Sequence, residues 1–176
     1  MTIRFTRREA LATGAAALSA TALPSFAMDD AEPKMIEVQM LNASPDDPKI
    51  RQVFYPRIIQ ANVGDTIKFL STDRGHNAAT SRGMVPEGAE GFKGSINGDV
   101  EYVAAQPGIY GIECTPHKTT GMVALLVVEG EGKLDNLEEA QGARQPGKAR
   151  KVWEEIWAEA EEMGLLSETA MEKTES

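Results

Sequence analysis

Apolar residues recur at every second position in several short stretches from Met35 onward. In MIEVQML, Ile36, Val38 and Met40 alternate with Glu37 and Gln39, the period that lays one face of a strand on a core. Ile67 and Phe69 flank Lys68 in DTIKFL, which follows the turn signal NVGD. DVEYVAA and GIYGIEC predict two further strands, separated by the turn QPG. MVALLVVEG is apolar without alternation, as expected of a strand buried on both faces. Short strands joined by Gly- and Pro-bearing turns, with no helix between them, predict an all-β, antiparallel sandwich.

Two regions break this pattern. Residues 71–99, STDRGHNAATSRGMVPEGAEGFKGSINGD, have little periodicity and several Gly-containing turns. They predict a long loop, of the kind that carries function in a small domain. Beyond Gly132 the period becomes helical: Val152, Ile156, Ala160 and Leu165 mark one stripe, joined by Trp153, Trp157 and Met163. Pro146 stands where a helix start tolerates proline, and Gly164 where a helix stops. This predicts a C-terminal helix packed on the sandwich, with ETAMEKTES as a frayed end.

The N-terminus follows a third pattern. Arg4, Arg7 and Arg8 precede a charge-free run from Ala10 to Ala27 that closes on small residues in PSFA, the form of a cleavable export signal. The run is too short, and too rich in Ala, Ser and Thr, to span a bilayer stably; a buried N-terminal helix is the alternative. Arg7-Arg8 within FTRREAL resembles a twin-arginine signal. Cleavage after Ala27 leaves 149 residues, from Met28 to Ser176, a length suited to one domain with an appendage. The expected organisation is a signal over 1–27, a sandwich over 28–132, helices over 133–165 and a tail over 166–176.

Charge narrows the partners. The chain carries −9, and −11 without the three Arg and one Glu of the signal. So acidic a protein is a poor ligand for nucleic acid.

The single cysteine raises the question of chemistry, because in an exported chain it cannot form an internal disulfide. In ECTPHKTTGM, His117 follows Cys114 by three residues and Met122 by eight, while the other histidine, His76, stands far upstream. Tyr110, Ile112 and Cys114 share one parity, so a strand that turns the first two inward also buries the thiol. Pro116 then turns the chain, and the loop can aim Cys114, His117 and Met122 at one point. Thiolate, imidazole and thioether make a soft donor set; two His, one Cys and a weak Met form the trigonal blue-copper arrangement. Each residue also has a plainer role as a buried thiol, a surface or core histidine, or a core methionine. Zinc could take the Cys and both His but has little use for Met. A Cys–His nucleophilic pair leaves Met122 and His76 without a part.

DRGHN, VPEGAEGFKGSIN, QPGIY, CTPH and GM, with the tail NLEEAQGARQPGKARKVWEEIWAEAEEMG, resemble the pseudoazurin family of cupredoxins over about residues 35–163. The resemblance implies a Greek-key β-sandwich with a C-terminal pair of α-helices. It implies one type 1 copper per chain on His76, Cys114, His117 and axial Met122, with the Asn77 backbone N–H directed at the sulfur. It further implies a monomeric periplasmic one-electron carrier, not an enzyme and not membrane-bound after cleavage. Electrons would leave through the His117 ring to a redox partner such as copper nitrite reductase, across a transient interface. Pro116, Met84, Val85 and Pro86 are candidates for an apolar patch there, and Arg74, Arg82, Lys93 and Lys118 for cations that steer an acidic partner. The family commonly has Lys before the Cys, Tyr after the second His and Met two before the axial Met; here these are Glu113, Lys118 and Thr120. A periplasmic copper carrier or storage protein is the competing function, although only two His are present.

Overall fold

The structure, a computed structural model, describes residues 32–167. The expected signal and all of the tail from residue 168 lie outside the described residues. Eight strands lie among the described residues: Met35–Ala43 (β1), Arg51–Tyr55 (β2), Ile58–Asn62 (β3), Thr66–Leu70 (β4), Ala79–Thr80 (β5), Val100–Val103 (β6), Gly108–Glu113 (β7) and Val123–Glu129 (β8). They form two four-stranded sheets, ordered β2-β1-β4-β6 and β3-β8-β7-β5, followed by helices Leu137–Gly142 (α1) and Ala149–Glu162 (α2). The all-β Greek-key sandwich with two C-terminal helices is the observed class.

The expectation of purely antiparallel sheets is corrected. β1 runs parallel to β4, with Val38 opposite Phe69, and β3 runs parallel to β8, with Ala61 opposite Val128. Alternation along a strand says which face is buried but not which strand lies alongside, so the crossovers were invisible in the pattern. β2 and β3 were not in the expected set either. Their run, RQVFYPRIIQAN, is broken by Pro56 and Arg57, and buries only Phe54, Ile59 and Ala61.

The core explains the unbroken apolar run of β8. Ala124, Leu126 and Val128 join Val38, Phe54, Phe69 and Tyr110 between the sheets. Val123, Leu125 and Val127 face the other way, beneath Trp153, Ile156 and Ala160 of α2. Helix α2 ends as the glycine predicts. Gly164, at φ 74°, donates to Glu161 O, and Leu165 donates to Ala160 O, the paired closure that only a left-handed residue allows. Leu165 is buried there, but Met163 is 54 % exposed. Met163 lies just past the last helical turn, off the stripe expected to include it.

Two devices position the end of the sandwich that matters. Along β7, whose outer edge β5 covers only at Ile112 and Glu113, the Asn136 amide both donates to and accepts from the Ile109 backbone, at 2.8 and 3.0 Å. Gly111 pairs with Met84 O and Ser81 N in the same way, so the edge is closed. The long 71–99 segment is irregular as expected, except for β5. It is pinned by Gly94 N to Ala78 O and Asn97 N to His76 O, both at 2.8 Å.

Candidate metal centre

Strand β7 ends at Glu113, and the next residue, Cys114, keeps the inward parity of Tyr110 and Ile112; all three are fully buried in the inter-sheet core. The chain then reverses through a short loop. Cys114 N donates to Met122 O, and both His117 N–Cys114 O and Met122 N–His117 O bonds close the reversal. A single 3₁₀ turn, Lys118–Thr120, and Gly121 at φ 103° return the chain into β8. Met122 is fully buried beside Cys114 in the same core cluster.

His76 arrives from the other side, on the 71–99 segment. Its Nδ1 lies 3.1 Å from His117 Nδ1 and 3.8 Å from Cys114 Sγ, and His117 Nδ1 lies 3.5 Å from the same sulfur. A point equidistant from three atoms at 3.1, 3.5 and 3.8 Å separations lies about 2 Å from each, by the circumradius of that triangle. That matches the roughly 2.0–2.3 Å bonds that nitrogen and sulfur make to a first-row metal. Two imidazoles and a thiol in this triangle fit copper, and the Met122 thioether is buried in the same cluster as Cys114. Among the described residues, His76, Cys114 and His117 are the one such cluster of potential ligands.

The surroundings fix the donors. His76 Nε2 donates to Asn42 Oδ1 at 3.1 Å, which keeps the proton on Nε2 and leaves the Nδ1 lone pair facing inward. Burial and the neighbouring His117 lower the His76 pKa, so its ring stays neutral. Burial raises the Cys114 pKa, opposed by the backbone N–H groups of Asn77 and His117 and reinforced by Glu113. The thiol form is therefore favoured without a metal, and a metal must displace its proton. Asn77, buried beside Cys114, accepts from Thr115 N at 2.8 Å and donates to Gly94 O and Thr115 Oγ1 at 3.0 and 3.1 Å. It thereby staples the two ligand-bearing segments together.

At the surface the expectations are partly overturned. Pro116 is exposed and His117 half-buried, as anticipated. Met84, however, is fully buried under Gly111 with the helices, and Pro86 packs on Gly108 at the far end of β7; Val85 lies against the inter-sheet core. These three do not flank His117. Ile96, 56 % accessible, stands next to Asn97, which binds His76 O and Gly75 N. Lys118 is not a free cation: its Nζ lies 2.5 Å from Glu113 Oε2, which also accepts from Ser81 Oγ at 2.6 Å. The two side chains are only 20 % and 16 % exposed, so the departures at 113 and 118 compensate each other in charge. Arg74, Arg82 and Lys93 are exposed, with no carboxylate in ion-pair range among the described residues. Lys148 adds a cation the sequence did not single out, its backbone N–H on Thr119 O. Asn42 was also missed, standing 34 residues from His76 with no motif linking them.

Comparison with known proteins bears on the same residues. The family described as copper binding proteins, plastocyanin/azurin family, matches residues 42–129. A pseudoazurin of Paracoccus pantotrophus is 41 % identical over 141 residues, 80 % of this chain and 90 % of that protein. A pseudoazurin of Methylorubrum extorquens is 38 % identical over 140 residues, 80 % of this chain and 87 % of the relative. The solved structure of a pseudoazurin from Sinorhizobium meliloti superposes with a TM-score of 0.68 at 39 % identity, covering 73 % of this chain and 97 % of that one. With the fold, the donor triangle and these likenesses in agreement, the chain belongs to the pseudoazurin family of copper-binding, electron-carrying cupredoxins.

Proposed function

We propose that this protein is a periplasmic one-electron carrier whose copper is held by His76, Cys114 and His117, with Met122 as the axial donor. The observation that carries the assignment is the donor triangle, sized for a metal and sealed in the core on the Cys114 and His76 side. Bound copper would supply a Cu(II)/Cu(I) couple. The chain's own contribution is to keep the donors still. Asn42 holds the His76 ring, the inter-sheet core holds Cys114, and Asn77 ties the two segments. A site that barely relaxes between charge states has little reorganisation to undergo when an electron arrives. His117 is the donor residue with a partly open ring, and so the exit. Four protein donors leave no open position for a substrate, which fits a carrier rather than an enzyme. Delivery of the metal itself would call for accessible donors, whereas Cys114, His76 and Met122 are buried.

Residues 1–27 would act as a twin-arginine export signal, leaving 28–132 as the sandwich and 133–165 as its helical cover. The protein would work as a monomer, with no affinity for membrane or nucleic acid. Copper nitrite reductase is the acceptor the family reading implies, met transiently at the His117 face. Exposed Pro116 next to His117, exposed Ile96 next to Asn97, which binds His76 O, and cations at Arg74 and Lys93 on a chain of net −9, support an acidic partner docking there. In stopped-flow mixing of the reduced protein with copper nitrite reductase, Lys93→Glu is expected to slow electron transfer severalfold at low salt. Glu113→Gln, which frees Lys118 from its pair, is expected to speed it. Both differences should vanish near 1 M salt, where the Debye length is about 3 Å. Rates that ignore both substitutions and salt would rule out electrostatic steering at this face and leave nitrite reductase supported by the family likeness alone.

A further inference from the structure

We infer that Gln52 and Thr120 form a brace that positions the His117–Met122 segment of the metal site, an inference that rests on the ligand set proposed above. β1 and β2 pair at Gln39–Tyr55, Met40–Phe54 and Leu41–Val53, and again at Ala43–Arg51. Between these the ladder opens, at Asn42 and Gln52. The Asn42 N–H leaves the sheet and donates to Asp73 Oδ2 at 2.7 Å. Gln52 stands at φ 58°, a left-handed conformation that a residue with a side chain adopts only where its surroundings hold it there.

Both residues at the opening turn toward the ligand segments. Asn42 reaches His76; Gln52 Oε1 accepts the Thr120 hydroxyl at 2.6 Å. The Thr120 oxygen also lies 2.8 Å from His117 O. That carbonyl already accepts the N–H groups of Thr120 and Met122, each at 3.1 Å. A carbonyl offers two lone pairs and a hydroxyl one proton, so the proton is left for Gln52. The Lys118–Thr120 turn buries no residue, so polar contacts hold it. Lys118 Nζ pairs with Glu113 Oε2, and Lys148 N donates to Thr119 O at 2.9 Å. The brace is the tie that carries the turn between His117 and Met122 across to the opposite sheet, at β2.

Half of this is legible in the chain, where Thr120 stands in place of a methionine usual in the family; the strained partner at Gln52 has no signature there. Thr120→Val removes the hydroxyl at nearly constant shape. Gln52→Asn keeps a residue tolerant of positive φ but falls one methylene short. Thr120→Ser restores the donor. In the metal-free proteins, amide exchange at Met122 is expected to rise about fivefold in the first two variants, the equivalent of one hydrogen bond of ~1 kcal/mol. In the Cu(II) proteins the relative intensities of the thiolate charge-transfer bands should change in those two, and Thr120→Ser should match the parent in both measurements. Parental exchange and spectra in Thr120→Val and Gln52→Asn would overturn the brace. A parent protein without such bands would overturn the ligand set instead, with Met122 exchange in the metal-free variants still deciding for or against the brace.

Discussion

Replacing Cys114 by alanine is expected to abolish the visible colour of the copper-loaded protein while leaving the fold in place. The thiolate is the one donor whose charge transfer to Cu(II) falls in the visible, and the chain has no second cysteine to substitute for it. The same change removes a short bond from the triangle, so copper affinity should fall by orders of magnitude, leaving two imidazoles and a weak thioether. The structural cost is small by comparison. Cys114 is a buried, small side chain in a core of Tyr110, Ile112 and Leu126, and loss of its sulfur leaves a cavity worth about 1 kcal/mol. Circular dichroism should therefore match the parent while absorption is lost. A variant that stays blue would mean another donor makes the colour.

Asn77→Ala is expected to be the most destabilising single change near the site. The amide makes three bonds to Gly94 and Thr115 across two segments, in a residue that is 1 % exposed. Alanine would leave the Thr115 N–H and the Gly94 carbonyl without partners and open a cavity beneath them. Together these amount to about 3 kcal/mol, which lowers the melting temperature of a domain this size by roughly 10 °C. The backbone N–H of Asn77, which faces the Cys114 sulfur, survives the substitution. Protein that remains folded should therefore still bind copper, released faster because the two ligand segments are no longer stapled. Thermal melts of the metal-free protein and copper transfer to a chelator measure the two effects separately. An unchanged melting temperature would show that the staple is not what joins the segments.

The strands with a clean period were legible in the sequence, and so was the inward turn of Cys114, because both depend only on alternation along one strand. The double burial of β8 was legible for the same reason. The parallel pairings of β1 with β4 and β3 with β8 were not, because they join residues brought together by crossovers. At the site, Cys114, His117 and Met122 sit within one short loop and declare themselves by spacing. His76 was found because the chain has one other histidine. The supporting polar residues left no such trace: Asn42, Gln52 and Ser81 act across the fold on groups 34, 68 and 32 residues away. Charges were misjudged for the same reason. Glu113 and Lys118 look like opposing rim charges in sequence, yet they form one half-buried pair. Met84, apolar and in a ligand-bearing loop, looked like surface but lies under Gly111.

The central claim is that His76, Cys114, His117 and Met122 hold a type 1 copper. It is tested most directly by titrating the metal-free protein with Cu(II) while recording visible absorption, with Zn(II) as the competing metal. An intense band that grows to one copper per chain, bleaches on reduction with ascorbate and returns on reoxidation is the expected result. A protein that stays colourless with copper, or that takes up zinc in its place at one equivalent, would contradict the account.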